Sequence, residues 1–268
     1  MKTVYEITRM IDLQDEVVSL VNETYKNLNI KEYDDYIKGL LDIQTAPDAR
    51  TKLIEVLGED LNNMKILTCM LFSLTYTYER YCEKGINEEI FIDTMKAFTR
   101  FLEEHYSGNL QWKFDRDWWI YRQIAMTIFR IGELEYEMKE TEQEKYISIH
   151  IPSDTKLSEI NIIESIKEAK IFFSKYYPEF TNVEYRCHSW LLSSDLDVLL
   201  PPSSNIIKFK SMFRIISESN GGTGFLTWIY KRKYEDFNDL PEDTTLQRNL
   251  KRHLLSGKSI STAYGILK

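Results

Sequence analysis

The sequence predicts an α+β protein: an all-helical N-terminal part, then a mixed, mostly antiparallel sheet with a central helix. Three observations carry this. Apolar residues recur at helical spacing through the first 118 or so residues. After Trp119 the spacing changes to alternation, in "ELEYEM" and again in "YISIHIP". Later strand-like and helix-like runs interleave, so the second half reads β-β-α-β-α-β-β-α-β. The 268 residues then divide into a helical domain, 1–118, and a sheet domain, 119–268.

"EVVSLVNETYKNL" sets Val17, Val18, Leu20, Val21, Tyr25 and Leu28 at helical spacing, and "EYDDYIKGLLD" follows. In "QTAPDARTKLIEVLG", Asp48 caps a short helix and Gly58 ends it. "NMKILTCMLFSLTYTYERYCEKG" is a long helix closed by Gly85. "NEEIFIDTMKAFTRFLEEHYSG" opens on Asn87 and closes at Gly108. Together they form a bundle-like unit.

In "IFRIGELEYEM", Leu134, Tyr136 and Met138 face one way, and Glu133, Glu135 and Glu137 the other. "YISIHIP" alternates Ile147, Ile149 and Ile151 against Tyr146, Ser148 and His150. A turn centred near Thr141-Glu142 sets Glu133 across from His150 and Glu135 across from Ser148. "PSDTKLSEI" is a loop into a helix whose apolar face is Ile162, Ile163, Ile166, Ala169, Ile171, Phe172 and Phe173, stopped by Pro178. "VEYRCHSWLL" is a strand, and "PSSNIIKFKSM" a short helix with a Ser or Asn cap. "FRIISES" and "FLTWIYKR" read as strands around "NGGTG", a glycine-rich hairpin turn without GxGxxG spacing. "TTLQRNLKRHLLSGK" is a helix ended by Gly257, and "ISTAYGILK" a final strand.

Composition excludes several functions. The net charge is -8 with no basic block, which argues against a nucleic-acid partner. Three cysteines without CxxC spacing and four scattered histidines give no metal framework and suit a reducing compartment. "MKTVYEITRMIDLQDEVV" has no apolar signal core, and "ILTCMLFSLTYTY" is too short to span a bilayer. The expectation is a cytoplasmic protein with no membrane partner.

"RIGELEYEM", "ISIHIPSDTKLS", "CHSWLLS", "LLPPSSNIIKFKSMF" and "LPEDTTLQRNLKRHLLSG" together resemble the GNAT-like N-acyltransferase fold. More narrowly, the chain resembles bacterial proteins that join a helical acyltransferase-associated N-terminal domain to a GNAT-like C-terminal domain. The resemblance implies acetyl-CoA or another acyl-CoA as co-substrate, its pantetheine arm lying beside "YISIHIP". It implies that the helix starting near Ser158 holds the pyrophosphate on its free N–H groups. The usual glycines of that loop are absent from "PSDTKLSEI". Ser153, Thr155 and Ser158 then serve as donors and Lys156 supplies charge. Asn205 corresponds to an Asn that contacts the arm. The acceptor implied is a small-molecule or peptide amine, which the acidic balance favours when cationic, with the helical domain walling one side of its site.

Acyl transfer to an amine needs a base, an oxyanion site and an acid for the leaving thiolate. Glu133, Glu135 and His150 are the candidate bases, since the expected register gathers them on one face. Tyr264 and Cys187 are the candidate acids. His188 and Trp190 share a strand face and read as a pocket wall. Cys187-His188-Ser189 suggests a cysteine hydrolase, but strand neighbours point to opposite faces and cannot form a nucleophile–base pair. The alternative to an enzyme is a GNAT-like binding or regulatory module that no longer uses CoA.

Overall fold

Helices fill the chain as far as residue 124. The computed structural model describes residues 2–220, 222–232 and 234–268. The helices are α1 (Val4–Met10), α2 (Asp15–Asn27), α3 (Asp34–Gly39), α4 (Ala46–Leu57), α5 (Met64–Lys84), α6 (Glu88–Met95), α7 (Ala97–Asn109) and α8 (Asp117–Ile124). Gly85 ends α5 in the left-handed region at φ 67°, as a helix-ending glycine does. Asn87 caps α6 by accepting the Glu89 N–H. The helix expected over 87–108 is two helices that meet at Lys96, and Gly108 lies inside α7. Asp48 sits in the first turn of α4, where its charge favours the positive helix end, but the cap position belongs to Thr45.

The chain divides into two compact units, one ending at Arg130 and the other running Ile131–Lys268. The division falls later than the change of period at Trp119, because α8 packs on α4 and α5.

The remaining elements are β1 (Ile128–Ile131), β2 (Leu134–Glu140), β3 (Lys145–His150), α9 (Glu159–Tyr176), β4 (Glu184–Ser189), α10 (Leu196–Leu199), α11 (Asn205–Ser211), β5 (Phe213–Ser219), α12 (Gly224–Tyr230), α13 (Thr245–Leu255) and β6 (Thr262–Leu267). The strands form one sheet in the order β1-β2-β3-β4-β6-β5. Only β3 and β4 run parallel among the pairs β2–β3, β3–β4, β4–β6 and β5–β6.

The alternating run 129–138 is interrupted by a turn at Gly132, whose φ is 60°. A Cβ there would lie 3.1 Å from the Ser165 Cβ, so glycine permits this close approach to α9. Ser165 is buried and accepts the Leu134 N–H at 3.3 Å. One sheet face rests on α9. Tyr136 meets Phe173 edge-on at 6.5 Å and Tyr185 at 6.1 Å. Ile162, Ile166, Ala169, Phe172 and Phe173 form the buried side of α9, while Ile163 and Ile171 face solvent.

"FLTWIYKR" is not a strand. It is α12, and Gly221 of the expected "NGGTG" turn lies outside the described residues. Phe225 and Tyr230 are buried in a second core with Leu196, Leu199, Leu240, Leu250, Leu254 and Ile260. Burying Phe225, Leu226, Ile229 and Tyr230 on one side needs the 3.6-residue period, and this packing overrides the strand preference of Thr-Trp-Ile-Tyr.

Candidate active site

The β2–β3 turn decides which acids meet which strand partners. The Thr141 N–H donates to the Glu144 carbonyl at 2.9 Å, so the turn centres on Glu142-Gln143. That is one residue later than the spacing suggests, and a one-residue move of the centre shifts every partner by two. Glu135 therefore pairs with His150, and Glu137 with Ser148.

This corrects the expected grouping. Glu133 is not opposite His150; it stands in the turn before β2, and its carboxylate accepts the Lys156 N–H at 3.2 Å and the Asn161 amide at 3.1 Å. The acid that reaches His150 is Glu137, which was not among the candidates. His150 Nε2 lies 2.8 Å from Glu137 Oε2, and Lys139 Nζ donates to Oε1 at 2.7 Å. Glu137 is 2% exposed, so it needs such partners to stay charged. Burial works to raise its pKa, but the hydrogen bonds from His150 and Lys139 outweigh it and hold the carboxyl below its ordinary 4.5. An ionised carboxylate only accepts, so the His150 proton in this contact sits on Nε2.

A depressed carboxyl pKa contributes stability fully present above pH 4.5 and lost as the pH falls through the lower folded-state value. Glu137→Gln is expected to cost on the order of 1–2 kcal/mol at neutral pH, because it removes the buried carboxylate that accepts charge-assisted hydrogen bonds from half-buried Lys139 and His150. The difference from wild type shrinks below pH 4.5, which denaturant unfolding at a series of pH values measures.

The same sheet face carries residues of three further strands. Ser148 is the β3 partner of Arg186, and on β4 and β6 the partners are Arg186 with Ile266 and His188 with Tyr264. Directly opposed residues share a face. Glu135, Glu137, His150, His188 and Tyr264 thus lie on the face away from α9. The His188 and Tyr264 rings are 6.4 Å apart. His188 is exposed. Arg186 is committed to a bidentate pair with Glu144 at 2.5 Å and to Glu184.

The parallel pairing of β3 with β4 runs only from Tyr146–Ser148 against Glu184–Arg186. Beyond it β3 continues to His150 and β4 to Ser189, and the paired run has stopped. The two histidines stand where the strands part.

Other expectations move. Trp190 does not continue the strand that carries His188. It opens a short helical turn, 190–192, and packs on the second core. Cys187 points to the α9 face and is fully buried, with burial pushing its thiol up to about 12. A protonated thiol without access to water is no nucleophile, which removes the hydrolase geometry.

The loop before α9 is tied on both sides. The Thr155 hydroxyl donates to the Glu133 carbonyl at 2.7 Å. Ser158 takes the cap position of α9, but its hydroxyl makes no capping bond. Ser204 caps α11, which leaves the Asn205 amide to donate to the Lys156 carbonyl at 3.3 Å. The structure therefore brings Glu133, Thr155, Lys156 and Asn205 together, and separately Glu135, His150, His188 and Tyr264. Ser153 lies on the same loop, partly buried. Among the described residues no cluster of His, Cys, Asp and Glu could hold a metal ion, and no helix is long and apolar enough to cross a membrane.

Comparison with known proteins follows this architecture. Residues 2–126 match the model of the N-acyltransferase N-terminal domain, and residues 128–267 that of the GNAT-like C-terminal domain. No curated protein matches the chain in sequence. Among solved structures, an acyltransferase in complex with decanoyl-CoA and teicoplanin aligns over 100% of this chain and 99% of its own, at 16% identity and a TM-score of 0.72. An acyltransferase mutant in complex with octanoyl-CoA aligns over the same shares at 15% identity, also with a TM-score of 0.72. At that identity the likeness is one of fold. The two domain matches cover nearly the whole length, and the chain belongs to the acyltransferase family that joins an N-acyltransferase N-terminal domain to a GNAT-like C-terminal domain.

Proposed function

We propose that this protein transfers an acyl group from acyl-CoA directly to an amine acceptor, with both bound at once. The carrying observation is the parting of β3 from β4 beside a face that holds His150, His188 and Tyr264. A thioester laid along the parted strands would present its carbonyl to that face.

His188 is the base in this reading, a role the strand pattern alone did not give it. Glu137 is buried and paired with Lys139 and His150, whereas His188 is exposed and, among the described residues, makes no ion pair. An imidazole can be neutral near pH 7, as a base must be. The acceptor nitrogen attacks the thioester carbon as His188 takes its proton. The C–S bond then breaks, and the Tyr264 hydroxyl protonates the departing thiolate. Glu137 and His150 tie β2 to β3 beside this face, and Glu135 is buried opposite His150.

Ser153, Lys156 and Ser158 are the proposed contacts for the CoA phosphates, at the start of the 18-residue helix α9, with Thr155, whose hydroxyl is spent on Glu133, holding the loop. Solved proteins of this fold hold decanoyl-CoA and octanoyl-CoA, and one holds teicoplanin, so a medium-chain donor and a glycopeptide-like amine are the first compounds to try. Titration with acetyl-, octanoyl- and decanoyl-CoA by calorimetry is the test. Binding of at least one at micromolar concentration is expected; no binding of any at millimolar concentration would leave the non-catalytic module as the reading.

A further inference from the structure

The loop 151–158 contains no glycine, yet Leu157 lies in the left-handed region at φ 53°. A branched side chain holds that conformation only when its surroundings impose it. Both backbone groups of the preceding residue are taken by side chains from other elements. The Lys156 N–H donates to Glu133, from the β1–β2 turn, and the Lys156 carbonyl accepts from Asn205, at the start of α11. Glu133 adds a third tie through its own carbonyl, which accepts the Thr155 hydroxyl. Its second carboxylate oxygen accepts from Asn161 in the first turn of α9, joining loop and helix. Lys156 is the loop's one cation, its residue is exposed, and among the described residues its ammonium makes no ion pair.

We propose that Glu133 and Asn205 are positioning residues that clamp the Lys156 main chain from two sides and so set the anion-binding shape of a loop that lacks glycine. The inference rests on the acyl-CoA reading above. A glycine loop reaches a left-handed turn through its own freedom. This loop reaches it because two side chains hold it there. The opposite possibility is equally concrete: Glu133 could act as a built-in anion that competes with phosphate. The clamp is favoured because two bonds to Glu133, from Thr155 and Lys156, and one from Asn205 converge on adjacent loop residues, while Asn161 ties the same carboxylate to α9, an arrangement that fixes backbone rather than fills a vacant site.

The experiment measures CoA affinity by calorimetry for the full chain and its Glu133→Ala, Asn205→Ala and Glu133→Gln variants. Hydrogen exchange of the 152–158 segment is followed without ligand. Glu133→Ala is expected to weaken CoA by about tenfold or more, the loss expected from one charge-assisted hydrogen bond, and Asn205→Ala by less. Both speed exchange of the loop, while kcat at saturating acyl-CoA stays within about twofold of wild type. Glu133→Gln, which keeps the length and one acceptor oxygen, recovers part of the affinity. Tighter or unchanged binding in Glu133→Ala, or loop exchange unaltered in both alanine variants, would overturn the clamp. A fall in kcat with affinity intact would overturn it too, by placing Glu133 in the chemistry. If wild type itself binds no CoA, the acyl-donor reading falls first and this inference with it, a result distinct from the others.

Discussion

Replacing His188 by alanine is expected to lower turnover by roughly 10²- to 10⁴-fold, the usual contribution of a placed general base. Affinity for acyl-CoA stays near wild type in the same variant. His188 is exposed on the sheet face away from α9, so its loss opens no cavity and unpairs no buried group. Its removal is therefore a test of chemistry and not of folding. Tyr264, directly across from it, is the partner control: Tyr264→Phe keeps the ring and removes only the hydroxyl. Steady-state kinetics with a saturating amine decide the matter. If His188→Ala keeps wild-type turnover while His150→Gln loses it, the base is on β3 and the roles of the two histidines exchange.

The largest expected effect on stability comes from the opposite face. Phe173→Ala should cost about 3–5 kcal/mol, because the ring is fully buried and its removal leaves a cavity between α9 and the sheet. The ring touches Tyr136 on β2 and, within its own segment, Phe172 at 5.2 Å and Tyr177 at 6.2 Å. Ile171→Ala, two residues away on the same helix, is expected to change stability by less than about 0.5 kcal/mol, since Ile171 is 59% exposed. Guanidinium unfolding followed by circular dichroism separates the two. Equal midpoints for the two variants would mean that α9 does not anchor this sheet.

Much of the architecture was legible because local chemistry and global packing agree. Gly85, Asn87 and Pro178 stop or start helices where the residue types demand it. Alternation in β2 and β3 identified both faces correctly, since parity survives a shift of two. The register did not survive, because polar "KETEQEK" offers several turn centres and nothing in its residue types selects Glu142-Gln143 over Thr141-Glu142. That is why Glu133 was expected near His150 and Glu137 was overlooked. The role of α12 was hidden for a different reason: its residues favour strands, and only the second core, assembled from distant Leu196, Leu250 and Ile260, makes a helix the better solution. At Asn205 the sequence marked the residue but not its direction. An Asn at a helix start usually caps its own helix, and here Ser204 does that, freeing the amide for another element.

Strand β6 follows every other strand in the chain yet lies between β4 and β5. As the polypeptide is synthesised, both of these strands emerge before the one that will join them. Until β6 arrives, β4 carries one open edge and β5 has no neighbour at all in the sheet, so a nascent chain exposes three backbone edges that can pair with another molecule. Long-range closure of this kind is slow relative to the local hairpin of β2 and β3. The molecule's exposure to misassembly is thus set by the interval between synthesis of Ser219 and Leu267, and a chaperone or a lowered expression temperature would act on that interval rather than on the finished fold.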